Sequence, residues 1–268
     1  MKLIEVDKER CTKCGICTEV CPVGILTEEV NGIEAGFPGA CIACGHCVAI
    51  CPNSAIDNQK APLENQATLE NFPVLDEKTA QQFLKSRRSI RRYKAIPVPR
   101  EKLQQLVEIA RFAPTGSNRQ GVSYTIVEDT KILHKATEAI IAWMEEQSKS
   151  QAHWSFDYHI RSYREKGKDP ILRGAPHLIL GTTQNNFPRG RENTIFSLAY
   201  LELFATALGL GSCWAGLFEM CALANYNPLL KLFDIPENKV ITGAVMVGYP
   251  QYSYKRFVDR NPQEVTWL

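Results

Sequence analysis

Cys11-Thr12-Lys13-Cys14-Gly15-Ile16-Cys17-Thr18-Glu19-Val20-Cys21-Pro22 and, thirty residues on, Cys41-Ile42-Ala43-Cys44-Gly45-His46-Cys47-Val48-Ala49-Ile50-Cys51-Pro52 decide how the first part of the chain folds. Both copies space their thiols by two, two and three residues and close on Cys-Pro, and Gly15 falls on Gly45, so the segment is an internal duplication. Three thiolates at that spacing wrap one face of an iron-sulfur cube, while the fourth, before proline, points away. Paired Cys-x-x-Cys also binds zinc, but four evenly gapped cysteines with a closing Cys-Pro, twice over, depart from zinc spacing. A disulfide framework is expected in a secreted chain, and residues 1–7 carry charges through their apolar positions, unlike a secretory leader.

In two-cluster proteins the fourth cysteine ligates the other cluster. The assignment is therefore crossed, with Cys11, Cys14, Cys17 and Cys51 around one 4Fe-4S cluster and Cys41, Cys44, Cys47 and Cys21 around the second. Over residues 1–58 the chain resembles the bacterial two-cluster ferredoxin module. Short apolar stretches at 3–6, 25–26 and 55–56 fit small strands, with too little apolar content for an independent core, so the clusters are expected to supply the fold. His46 reads as a surface loop residue and not as a ligand.

At 268 residues the chain has room for that module and a globular domain of roughly two hundred residues. With 31 basic against 29 acidic side chains there is no electrostatic footprint for nucleic acid. No run approaches the roughly twenty apolar residues of a membrane span. Thiolates that must stay reduced place the protein in the cytoplasm. Residues 58–74 are polar, proline-spaced and aperiodic, which sets a linker over 59–76 between domains at 1–58 and 77–268.

Beyond the linker, Asp76 reads as an N-cap opening a helix with Ala80, Phe83 and Leu84 on one face. A second amphipathic helix carries Leu103, Leu106, Val107 and Ala110 and stops at Pro114. Strands are expected at 122–127, 177–183 and 240–247. Asp129 should cap a helix running toward Lys149, residues 192–208 form a helix apolar on most sides, and a further helix precedes Pro236. Residues 148–172 read as a helical excursion without a motif. Helices alternating with short buried strands give a layered α/β or α+β sheet domain.

Arg87-Arg88-Ser89-Ile90-Arg91-Arg92-Tyr93 sets guanidinium groups beside a hydroxyl, chemistry suited to a phosphate. A solvated helix end would explain the run equally well if it stood alone. It is followed by Ala113-Pro114-Thr115-Gly116-Ser117-Asn118-Arg119-Gln120, Gly209-Leu210-Gly211-Ser212-Cys213-Trp214 and Gly248-Tyr249-Pro250 with Lys255 and Arg256. In that order these motifs resemble the nitroreductase family of FMN enzymes over about residues 77–265. The resemblance implies an α+β chain, in which a three-layer α/β/α FMN domain follows the small ferredoxin-like domain.

The same resemblance implies that Arg87, Arg88, Ser89 and Arg91 bind the FMN phosphate and ribityl end, completed by Lys255 or Arg256. Those two adjoin here, whereas some family members set one residue between them. Asn118 and Gln120 would bond the polar edge of the flavin, Pro114, Thr115 and Gly116 would approach the flavin of a partner subunit, and Leu210 and Gly211 would bring backbone amides against the ring. Gly-Leu-Gly is equally a helix C-cap. Cys213 and Cys221 read as small buried hydrophobes, with Cys213 also a candidate to influence the flavin pocket.

The implied function is a homodimeric flavin oxidoreductase with no protein nucleophile. It would take electrons from a low-potential donor, ferredoxin or NAD(P)H, through two 4Fe-4S clusters to FMN, and on to a nitroaromatic, quinone or similar small electrophile. A redox relay protein, a reductive dehalogenase and a flavin-fragmenting enzyme are the alternatives.

Overall fold

The computed structural model describes residues 2–30, 32–69, 73–149 and 153–268. Parts of the expected linker (70–72) and of the excursion (150–152) lie outside the described residues. The chain divides into two compact units, Met1–Val74 with Ser117–Arg119, and Leu75–Gly116 with Gln120–Leu268.

In the first unit the duplication extends to the backbone. Strand β1 (Ile4–Val6) leads to helix α1 (Ile16–Glu19), then β2 (Leu26–Glu29) and β3 (Gly32–Ala35), helix α2 (His46–Ala49) and β4 (Ile56–Asn58). The two helices sit thirty residues apart, and each starts from a left-handed glycine, Gly15 at φ 75° and Gly45 at φ 73°, a conformation that glycine adopts without a Cβ penalty. Lys13 and Ala43, and Gly24 and Ser54, repeat that hand at the same offset. β1 pairs antiparallel with β4, and β2 with β3. His46 is exposed as expected but opens α2 instead of lying in a loop.

The apolar residues of this unit form a small cluster that is completed by cysteines. Ile4, Ile25, Leu26, Ile33, Val48 and Ile56 cluster with Cys47, and Cys17, Cys21, Cys41 and Cys51 pack against them. The sulfurs are thus core side chains. The expected linker starts late, because Asp57 Oδ1 accepts from Leu63 N at 2.8 Å and Gln66 Nε2 donates to Ala61 O at 3.0 Å, tying residues 59–66 to the first unit.

The second unit opens with α3 (Glu77–Ser86), where Asp76 Oδ1 accepts from Thr79 N at 3.0 Å as an N-cap should. Then follow α4 (Arg100–Ala110), β5 (Ser123–Val127), α5 (Thr130–Gln147) capped by Asp129, α6 (Phe156–Arg164) and β6 (His177–Gln184). The chain continues through α7 (Gly190–Ala207), β7 (Gly211–Trp214), α8 (Gly216–Leu223), α9 (Asn227–Leu230) and β8 (Lys239–Gly248). Two helices, not one, precede Pro236, and β7 is a strand the sequence reading did not assign.

The four strands form one antiparallel sheet in the order β5-β6-β8-β7. Successive residues of a strand face opposite sides, and the core divides accordingly. Leu178 and Leu180 of β6 and Ala244 and Met246 of β8 join α5, α8 and α9 in one apolar layer. Ile179, Val245 and Val247 join α4 and α7 in the other. The second unit is therefore three-layered α/β/α, and its central strands carry consecutive apolar residues, Leu178-Ile179-Leu180 and Ala244-Val245-Met246-Val247, because both faces are covered. No helix of the described residues is long and apolar enough to cross a membrane.

Candidate cofactor sites

The basic run after α3 is held by main-chain bonds from residues far away in sequence. Ile90 N donates to Ser212 O at 2.8 Å, and Ser89 bridges Ser212, which lays the run along β7. Lys94 N donates to Tyr249 O at 2.8 Å, and Gln251 N to Arg92 O at 3.0 Å, fastening it to the chain that leaves β8. A side chain on Gly211 would place its Cβ 2.6 Å from Ile90 Cγ1, so only glycine lets the two segments lie this close.

A crevice of about 550 Å³ results, lined by Lys85, Arg87, Arg88, Ser89, Arg91 and Arg260, with Leu84, Tyr254 and Val258. Five cations and no carboxylate border it, the donor set that a phosphate ester requires. Arg88 stacks over the Tyr254 ring at 3.9 Å and donates from Nη1 to Arg256 O at 3.3 Å. Arg87 leans instead on Glu202, 3.8 Å away, whose Oε1 also accepts from Ser212 Oγ at 3.1 Å. Burial pushes the Glu202 carboxyl up, against the pull of Arg87 and Ser212.

Lys255 and Arg256 are both exposed next to this crevice and their side chains are not among its walls; Arg256 contributes a carbonyl, and Arg260 lines the wall. Arg260 and Tyr254 lie in an irregular segment with no periodicity, so only a search for spare basic residues after Gly-Tyr-Pro could have raised Arg260. Glu202 reads from sequence as one more residue of an apolar helix.

Pro114, Thr115, Gly116 and Gln120 lie on the loop before β5. Thr115 Oγ1 accepts from Gln120 N at 3.0 Å, and Gly116 N donates to Oδ1 of the buried Asn193 at 3.2 Å. Ser117, Asn118 and Gln120 are all left-handed, at φ 52°, 51° and 58°. Ser117–Arg119 is grouped with the first unit, so Asn118 is counted with that unit. The Gly209-Leu210-Gly211 stretch is a Schellman stop: Gly209 N donates to Thr206 O and Leu210 N to Ala205 O, at 3.2 and 2.8 Å. The Leu210 amide is thus engaged within the chain. Cys213 and Cys221 are buried in the core, and burial raises both thiols, Cys221 to about 12.

In the first unit, Cys11, Cys14, Cys17 and Cys51 line one cavity, and Cys21, Cys41, Cys44 and Cys47 line another. The cysteines ring these spaces and do not converge on a point, and among the described residues no three His, Cys, Asp or Glu side chains are placed to hold a single ion. Burial pushes Cys17 up, and the nearby Cys51 and Cys14 add to the effect. Crowded thiolates of this kind need a cationic centre to remain ionised, which fits a metal-sulfur group in each cavity.

Comparisons with known proteins cover both parts of the chain. Residues 84–249 match the model of the nitroreductase family, and residues 3–52 match that of a 4Fe-4S dicluster domain. An iodotyrosine deiodinase from Thermotoga neapolitana is 27% identical over 169 residues, covering 62% of this chain and 86% of that protein. An NADH dehydrogenase from Thermus thermophilus is 27% identical over 201 residues, covering 69% and 90%. Among solved structures, a nitroreductase with bound FMN from Desulfitobacterium hafniense shares the fold with TM-score 0.59 at 19% identity, over 73% of this chain and all of that one. An iodotyrosine deiodinase bound to FMN and 3-iodo-L-tyrosine matches with TM-score 0.53 at 25% identity, over 70% and 97%.

Proposed function

This chain belongs to the nitroreductase family of FMN-dependent oxidoreductases, and from that premise we propose that it reduces a nitroaromatic, a quinone or a similar small electrophile with electrons delivered singly through its cysteine-rich unit. The observation that carries this reading is the presence in one chain of two four-cysteine cages and a crevice of five cations. Arg88, Ser89, Arg91 and Arg260 would hold the FMN phosphate, with Arg87 braced by Glu202. Asn118 and Gln120, both left-handed, would bond the polar edge of the ring, and Pro114, Thr115 and Gly116 would approach the flavin of a partner subunit. Bound FMN supplies the exchange between one- and two-electron chemistry, and the protein contributes position and charge.

The working form is a homodimer in a reducing compartment such as the cytoplasm. α7 supports the dimer: one side of it is core, while Ile195, Phe196 and Tyr200 remain 38%, 50% and 41% exposed, an apolar surface suited to a second copy. The donor is reduced ferredoxin or NAD(P)H. A second reading, reductive dehalogenation of an aromatic substrate, is supported by the similarity to iodotyrosine deiodinases.

Deleting residues 1–74 tests the electron route. The remaining protein is expected to bind FMN and to reduce a nitroaromatic once its flavin is reduced chemically, yet to lose most of its rate with reduced ferredoxin as donor. Equal rates for the intact and shortened proteins with reduced ferredoxin would falsify the route. Offering a nitroaromatic, a quinone and a halophenol side by side separates the two readings, and reduction of a partner protein alone would make the chain a relay.

A further inference from the structure

The duplicated halves differ in what they offer the sulfurs. Asn58 closes β4, is 2% exposed, and donates from Nδ2 to Cys41 Sγ and Cys47 Sγ, each at 3.7 Å. The residue thirty positions earlier is Glu28, exposed in β2, and a carboxylate there has no proton to give. In the other cage Cys51 Sγ accepts from Ala55 N at 3.3 Å, a main-chain bond that any residue but proline provides.

The orientation of the Asn58 amide is settled by its other end. Oδ1 accepts from Lys60 N at 3.0 Å, so turning the amide over would face two donors at that turn and an oxygen at the sulfurs. The turn is fixed in its own right, since Ala61 N donates to Asn58 O at 2.8 Å. A rigid, buried donor is thus aimed at two thiols of one cage.

Hydrogen bonds to ligand sulfurs set cluster potentials. Reduction adds one negative charge to the cluster, and a donor stabilises the reduced form more than the oxidised one. We propose that Asn58 raises the reduction potential of the cluster held by Cys21, Cys41, Cys44 and Cys47 above that of the cluster held by Cys11, Cys14, Cys17 and Cys51. The second cage is then where a single electron from an external one-electron reductant comes to rest, with no bond made or broken. This inference depends on the reading that both cages hold 4Fe-4S clusters.

The test is a dithionite-mediated potentiometric titration of the full-length protein, followed by EPR, for the parent, Asn58→Leu and Asn58→Asp. Asn58→Asp keeps an acceptor for Lys60 N while removing the donor. With iron and acid-labile sulfide still at about eight each per chain, the higher of the two potentials is expected to fall by about tenfold or more in its reduction equilibrium, about 59 mV per tenfold for a one-electron couple, and a fall of the lower one instead would overturn the proposal. The other potential should stay in place. Both potentials unchanged in fully loaded variants overturn the role of Asn58, whereas a parent protein without iron overturns the cluster reading instead. If both variants lose the second cluster, the protein labelled with 15N in its asparagine side chains decides, in an Asn53→Gln background because Asn53 lines the other cage. Pulsed EPR of the cluster reduced first should then show coupling to the Asn58 amide nitrogen, and its absence overturns the inference.

Discussion

The first unit gathers Ile4, Ile25, Leu26, Ile33, Val48 and Ile56 into one cluster that includes Cys47, whereas the second unit closes an apolar layer on each face of a four-stranded sheet. In the small unit the sulfurs belong to the core, so we expect loading the cages and ordering the chain to be one event. In the large unit the cationic crevice lies outside both layers: Leu103, Leu106, Leu178, Leu180, Leu198 and Val245 are almost wholly buried without any help from a ligand. The expectation is that one unit depends on its cofactor for its fold, and that the other folds without one.

The sharpest way to break that contrast is to take the metal away. Anaerobic chelation of iron from the intact protein is expected to abolish hydrogen-exchange protection in β1 to β4 while β6 and β8 stay protected. Persistent protection of β1 and β4 in iron-free protein would show that the apolar cluster suffices alone.

A smaller effect is expected at the crevice. Arg88→Ala should weaken FMN binding roughly ten- to a hundredfold, about 1.5 to 3 kcal/mol for a hydrogen bond to a charged group, and less so as salt is added, because salt screens the contact that the substitution removes. Titration of the flavin-free protein measures this, and because the crevice is outside the core, the thermal midpoint of that protein should barely move. A large drop in midpoint would place Arg88 among the structural residues.

The smallest effect tests whether the large unit is indifferent to its surroundings. His177 is 2% exposed, its Nε2 accepts from Val98 N at 2.8 Å, and burial holds its pKa below the usual histidine value, against the pull of Glu128. The folded protein therefore keeps this ring neutral while the unfolded chain takes up a proton below about pH 6.5. Its contribution to stability is complete above that pH and declines as pH falls toward the folded-state pKa, by at most about 1.4 kcal/mol per pH unit. Urea unfolding at a series of pH values should show this slope, and His177→Gln should remove it. A slope that survives the substitution would assign it to another group.

Features built from neighbours in sequence were legible in the chain. The cysteine spacing and its repeat, the caps at Asp76 and Asp129, and the helix carrying Leu103, Leu106 and Ala110 each follow from a few bonds of covalent geometry, and the structure contains them. Gly209-Leu210-Gly211 was legible only as a choice, because the same three residues serve a helix stop or a close approach to a ligand, and the Leu210 N to Ala205 O bond resolves it toward the stop.

What remained was decided by contacts between distant residues. Nothing near Arg88 in sequence announces that it stacks on Tyr254, or that Arg260 lines the crevice. Those pairings follow from the sheet order β5-β6-β8-β7, which brings β7 beside β8 and so the basic run beside the chain that leaves β8. The sequence alone determined which groups are available and which local turns present them. The tertiary structure decided their partners, since a contact across more than a hundred residues depends on how the apolar faces of every intervening strand and helix are buried.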